Sequence, residues 1–190
     1  MSNRKARVAL VSIVAATCLT GALASAAWSE EPPKPAAAAF RDLERVQSNQ
    51  DKLPVWFAEL PIASEMNLGS ARWLMAEGTN DYYLVRGRSN MTCLIFIASD
   101  GTSGGSCAET STIAKSGLYI MEVADDPTET LTAVAVPDGA DSVVGGSGQE
   151  TVGRSASAVV LKGQPSETLT VKTRGRADVR IALGDVTSPD

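Results

Sequence analysis

The sequence predicts a mainly β domain, a small sandwich-like or open-barrel structure of about seven short strands preceded by one or two short helices. Three observations carry that prediction. Apolar and polar residues alternate towards the end of the chain. Gly- and Pro-rich turn signals recur about every eight to twelve residues from Tyr82 on. Two cysteines, Cys93 and Cys107, bracket a strand and a Gly/Ser loop.

The elements are justified in order. Arg4, Lys5 and Arg7 make a basic start, and Val8 to Trp28 carries no charge. Apolar residues from Val8 to Val14 precede small residues that include Ala24 and Ala26, the pattern of a signal peptide cut after Ala26. The same uncharged stretch is long enough to span a bilayer, which takes about 20 residues, so an uncleaved anchor over residues 8–28 is the alternative. A lipoprotein anchor at Cys18 is disfavoured by the residues before it, Ala15-Ala16-Thr17. Residues 27–39, with Pro32, Pro33, Pro35 and five alanines, read as an extended Pro/Ala linker. Residues 40–190 remain as a single β-rich domain, an ordinary size for one core.

Within it, a short helix is expected over Phe40–Asn49, where Phe40, Leu43 and Val46 share a face, and Pro54 ends that region. A second short helix is expected over Pro61 to Leu68. Strands are expected at Ala71–Ala76, Tyr82–Arg86, Thr92–Ala98, Gly117–Ala124, Thr130–Val136, Ala156–Lys162, Thr168–Arg174 and Val179–Leu183. Gly78-Thr79-Asn80-Asp81, Pro137-Asp138-Gly139 and Gly145-Gly146-Ser147-Gly148 mark turns. The last two strands form the clearest hairpin. Leu169 and Val171 alternate with Thr170 and Lys172, and Val179, Ile181 and Leu183 alternate with Arg180 and Ala182, giving one apolar and one polar, basic face.

Composition narrows the chemistry. Beyond Ala26 the chain carries 14 basic and 22 acidic residues, a formal charge of −8, which disfavours nucleic acid and anionic lipid as partners. In an oxidising compartment Cys93 and Cys107 read as a disulfide, worth ~3 kcal/mol for a loop of about 15 residues. Their separation is unlike the close spacing of redox-active dithiols. The chain has no histidine, which removes Ser-His-Asp and Cys-His nucleophile systems and His-based zinc sites.

What remains is weaker. Ser111 and Lys115 could be offered as a serine–lysine pair, but Lys115 stands beside a turn rather than in a core. Glu59, Glu65, Glu77 and Asp81 are the acids that a histidine-free hydrolase with paired carboxylates would use. Asp125, Asp126 and Glu129, or Asp138 and Asp141, offer oxygens to calcium, although turn chemistry explains both groups better. Arg86 and Arg88, with Lys172, Arg174, Arg176 and Arg180, are basic residues at alternate strand positions and outline a candidate binding surface. Trp56, Phe57 and Trp73 are expected to pack the N-terminal segment onto the sheet rather than to await a partner.

The order of landmarks resembles a group of uncharacterised exported proteins of actinobacteria. The residues that carry the resemblance are Phe40, Leu43 and Arg45; Asp51-Lys52-Leu53-Pro54; Ser70-Ala71-Arg72; Tyr82-Tyr83-Leu84-Val85; Cys93-Leu94; Gly104-Gly105-Ser106-Cys107; and Val136-Pro137-Asp138-Gly139. The resemblance spans about residues 40–160. It implies export and supports the Cys93–Cys107 bridge, and it brings no activity with it.

The resulting expectation is a secreted or extracytoplasmic domain, or one held by an N-terminal transmembrane helix. It would act by binding an envelope protein or wall polymer, with no catalytic residue, metal or cofactor assigned. The histidine-free hydrolase is the alternative.

Overall fold

The computed structural model describes residues 40–124, 126–138, 140–146, 149–164, 168–173 and 178–183. The leader 1–26, the linker 27–39, and Arg174 and Arg176 lie outside the described residues. Eleven strands are present among those described: β1 (Met66–Glu77), β2 (Asn80–Gly87), β3 (Met91–Ala98), β4 (Ser103–Glu109), β5 (Leu118–Glu122), β6 (Leu131–Ala135), β7 (Ala140–Val144), β8 (Glu150–Arg154), β9 (Ala158–Lys162), β10 (Thr168–Thr173) and β11 (Val179–Ala182). One short helix, α1 (Thr110–Ser116), and four 3-10 turns complete the described elements.

The protein is therefore mainly β, with eleven strands where the sequence predicts about seven. They form three antiparallel sheets, ordered β1-β2-β3-β4, β5-β6-β9-β8 and β11-β10-β7. Three hydrophobic clusters stack these sheets. On the outer face of the first sheet, Phe57 and Ala63 from the 3-10 turns Val55–Glu59 and Pro61–Glu65 cover Tyr83, Val85, Cys93, Ile95 and Ile97. Trp56 and Trp73 join the same layer partly buried, so the N-terminal aromatics pack. Between the first and middle sheets, Phe40, Tyr82, Leu94 and Phe96 meet Ala133, Ala135, Ala158 and Val160. Between the middle and third sheets, Val134, Val159 and Leu161 meet Leu169, Val171 and Ile181. This layering explains the sequence pattern. β3 and β9 lie in sheets buried on both faces and read as unbroken apolar runs, whereas β10 and β11 have one wet face and alternate.

Four local differences from the sequence reading have physical causes. The helix expected over Phe40–Asn49 is a single 3-10 turn, Arg41–Leu43. Beyond it, Arg45 and the backbone N–H of Ser48 both bond to Asp51, which turns the chain instead of letting a helix continue. The helix expected over Pro61–Leu68 stops at Glu65, because Met66 and Asn67 pair with Gly87 and Arg86 in β1. β4 was hidden as a Gly/Ser loop. Its glycines are required by close approach: a Cβ on Gly104 or Gly105 would stand 2.6 Å from the side chain of Phe96 or Ile95, the residues opposite. β7 and β8, short and polar in part, fall where the sequence signals turns and loops.

The hairpin between β2 and β3 turns through Arg88–Met91, with Met91 N–H donating to Arg88 C=O at 3.0 Å. Its two central residues, Ser89 and Asn90, both have positive φ (52° and 61°), the type I′ geometry that matches strand twist. Gly117 closes α1 at φ 70°, its N–H donating to Ile113 C=O, and Ile181 of the third sheet packs onto its bare Cα.

Candidate functional site

Two clusters bury charged residues at the edges of the sheets. The first cluster centres on Asp51, which has no exposed surface. Its Oδ1 accepts from Arg45 Nη2 (2.6 Å) and Trp73 N–H (2.8 Å). Its Oδ2 accepts from Arg45 Nη1 (2.6 Å), Ser48 N–H (2.6 Å) and Ser48 Oγ (2.8 Å). Burial pushes this carboxyl up, but the bonds from Arg45, Ser48 and Trp73 outweigh burial and hold it well below the usual carboxylate range. Arg72, also buried, donates to the carbonyls of Arg45 and Ala71 (2.6–2.9 Å). Burial pushes its guanidinium down from its ordinary value. Arg86 donates to Leu43 C=O at 2.9 Å. Together these groups fasten residues 40–51 onto β1 and β2. Arg86 is thereby withdrawn from the basic surface the sequence outlined.

The second cluster closes one end of the interface between the first and middle sheets. Asn80 Nδ2 donates to Glu122 Oε2 at 2.6 Å, joining β2 to β5. Asn80 Oδ1 is buried with no hydrogen-bond partner among the described residues, a state that costs about 1–3 kcal/mol. Tyr82 lies on the same face, and burial pushes its hydroxyl up to about 12. Glu122 carries no sequence signal, Asn80 reads only as part of the turn signal Gly78-Thr79-Asn80-Asp81 although it opens β2, and the two are 42 positions apart.

The acids proposed for a hydrolase are not gathered. Glu59 and Glu65 are exposed on the 3-10 layer over the first sheet. Asp81 accepts from the Trp73 indole N–H at 2.9 Å on that same outer side, while Glu77 pairs across with Asn80. The calcium candidates have other partners: Glu129 binds Lys162 at 2.6 Å, Asp126 accepts from Thr128, and Asp138 accepts from Arg41 N–H at 2.9 Å. Asp125 and the side chains of Asp141 and Lys115 lie outside what is described. Among the described residues no three Asp, Glu or Cys side chains come together as a metal would need.

Cys93 and Cys107 form the disulfide. They stand directly opposite on β3 and β4, with Cα atoms 4.0 Å apart, so the bond pins an edge strand of the first sheet to its neighbour.

The basic residues separate. Arg88 is exposed in the β2–β3 turn of the first sheet. Lys172 and Arg180 stand on the outer face of the third sheet, with the middle sheet between them and Arg88. Thr170 faces Arg180 on one side and Val144 on the other, and Lys172 faces Ser142. Lys172 and Arg180 are thus diagonal neighbours on adjoining strands, about 7–8 Å apart in such a sheet. Thr168, Ala182 and the Asp178 carboxylate share this exposed face.

Comparison with protein-family models, with curated proteins and with solved structures gave no match.

Proposed function

We propose that this chain is an exported, disulfide-stapled binding domain without catalytic activity, and that its contact surface is the outer face of the third sheet. The ligand class is an anionic polymer of the cell envelope. One observation carries the reading. Of the six faces that three sheets present, five are packed in the three hydrophobic clusters. Among the described residues the sixth carries exposed and partly exposed side chains, and it offers Lys172, Arg180, Thr168 and Thr170 in register.

A flat face with hydroxyls beside two cations suits a chain of repeated carboxylates and hydroxyls. Asp178 on the same face opposes indiscriminate binding, since a ligand must place its charges to avoid it. The acidic remainder of the protein repels the same ligand and so favours approach by this side. Export rests on the leader pattern of residues 1–26 and agrees with the disulfide, which is stable in an oxidising compartment.

The test uses the secreted form and a carboxylated polysaccharide. Wild-type protein is expected to be retained, with retention falling as salt rises. Lys172→Glu with Arg180→Glu should weaken binding at least tenfold without changing the melting temperature by more than a degree or two. Retention that is indifferent to the double substitution would move the site elsewhere. Cleavage of the polymer by pure protein would overturn the non-catalytic reading.

A further inference from the structure

The contact between Asn80 and Glu122 is incomplete as it stands. Asn80 is 4 % exposed; its Nδ2 donates to Glu122 Oε2, while its Oδ1, attached to the same carbon, is buried and has no donor among the described residues. An ionised carboxylate only accepts, so it cannot supply that donor. A carboxylic acid does both. Its carbonyl oxygen accepts from Nδ2 while its O–H donates back to Oδ1, closing an eight-membered ring of two hydrogen bonds.

We propose that Glu122 takes up a proton more readily in the folded protein than in the unfolded chain, and that the Glu122–Asn80 acid–amide pair is a clamp between the first and middle sheets that tightens as the surroundings acidify.

The groups around the pair favour this. Glu77 faces Asn80 across β1 and β2. Asp100, in the turn after β3, acts on Glu122 as a second negative charge. Tyr82 is held neutral by burial, and its hydroxyl lies beside the Asn80 side chain. The basic residue nearest in register is Lys162. It lies across Leu131 on β9 and is engaged by Glu129 at 2.6 Å. Burial pushes the Glu122 carboxyl up; the Asn80 bond pulls the other way, and Asp100 adds to the rise.

The sign follows from proton linkage. A carboxyl raised on folding binds more protons in the folded state than in the unfolded one. Its stabilisation is complete below the unfolded value, about 4.3, and is lost as pH rises through the higher folded-state midpoint.

The test is a carbon NMR titration of the Glu122 carboxyl in the intact protein, combined with thermal melts of wild type and Glu122→Gln across the same pH range. Glutamine copies the acid's geometry with N–H in place of O–H. The carboxyl is expected to bind its proton at least tenfold more tightly than free glutamate. Glu122→Gln is expected to melt a few degrees above wild type at neutral pH and to lose that advantage at acid pH. A midpoint at or below about 4.3 overturns the proposal. So does a glutamine variant that melts below wild type at neutral pH, because the ionised carboxylate would then be the preferred partner. The titration needs only wild-type protein, so the proposal stays testable if the variant folds poorly.

Discussion

Replacing Asp51 by asparagine removes the centre of the N-terminal clasp while keeping its shape. The wild-type carboxylate accepts five hydrogen bonds: two from Arg45, two from Ser48 and one from Trp73 N–H. Asparagine keeps one acceptor oxygen. If that oxygen serves Trp73 and one Arg45 nitrogen, its amide group faces Arg45 Nη1 and the Ser48 N–H, donor against donor. Three bonds are lost. Breaking a buried ion pair costs about 3–5 kcal/mol, but the Arg45 side chain is 37 % exposed and water recovers part of its loss. The expected cost is therefore ~3 kcal/mol, the low end of that range. For a domain of this size that is a fall of roughly 6–12 °C in melting temperature. Urea unfolding followed by tryptophan fluorescence measures it, with an unchanged slope showing that the same surface is exposed. The pH dependence gives a second reading. Because the folded-state carboxyl is held low, its contribution is present above the unfolded value near 4 and is lost as pH falls towards the folded-state value. Asp51→Asn should lack that part of the acid limb. A loss under about 1 kcal/mol would refute the reasoning and place the pair among ordinary solvated ion pairs.

Two further predictions concern covalent and backbone geometry. Cys93→Ala and Cys107→Ala should each cost about 3 kcal/mol, and the double variant should be no worse than the poorer single, since one bond is lost in every case; additive losses in urea unfolding would mean the two thiols act independently. Gly117→Ala should cost ~2–3 kcal/mol, because alanine is disfavoured at φ 70° and its Cβ would stand 2.3 Å from Ile181 Cδ1. Adding Ile181→Val should recover only the Cδ1 part of the clash, since Cγ1 stays 2.7 Å from the new Cβ, and complete recovery would show that the left-handed backbone was no obstacle.

Much of the fold was legible because it is local. The β10–β11 hairpin shows its alternation, β3 its apolar run, and the turn at Gly78-Thr79 its glycine at φ 58°. What stayed hidden depends on pieces distant in the chain. β4 reads as a loop until Phe96 and Ile95 are seen leaning over Gly104 and Gly105. The positive φ values at Ser89 and Asn90 occur without the glycine that usually announces such a turn. The six basic residues form one group on paper. Strand register cannot say that Arg86 would be spent on Leu43 C=O while Lys172 and Arg180 face outward two layers away. The Asn80–Glu122 contact has no periodicity to reveal it, since it joins two strand ends in different sheets.

The stacking of three sheets also sets an order of opening. The third sheet is held to the rest mainly through the Val134, Leu161, Leu169 and Ile181 cluster, and its other side carries exposed Lys172 and Arg180. The first and middle sheets share Phe40, Tyr82 and Phe96 besides the Asn80–Glu122 contact. Amide hydrogens of β10 and β11 should therefore exchange through a partial unfolding that leaves β3 and β9 protected, the latter exchanging only when the whole molecule unfolds. The layer that would meet a ligand is the one that can loosen alone, so ligand captured there would register first as slowed exchange in β10 and β11, before any change in global stability.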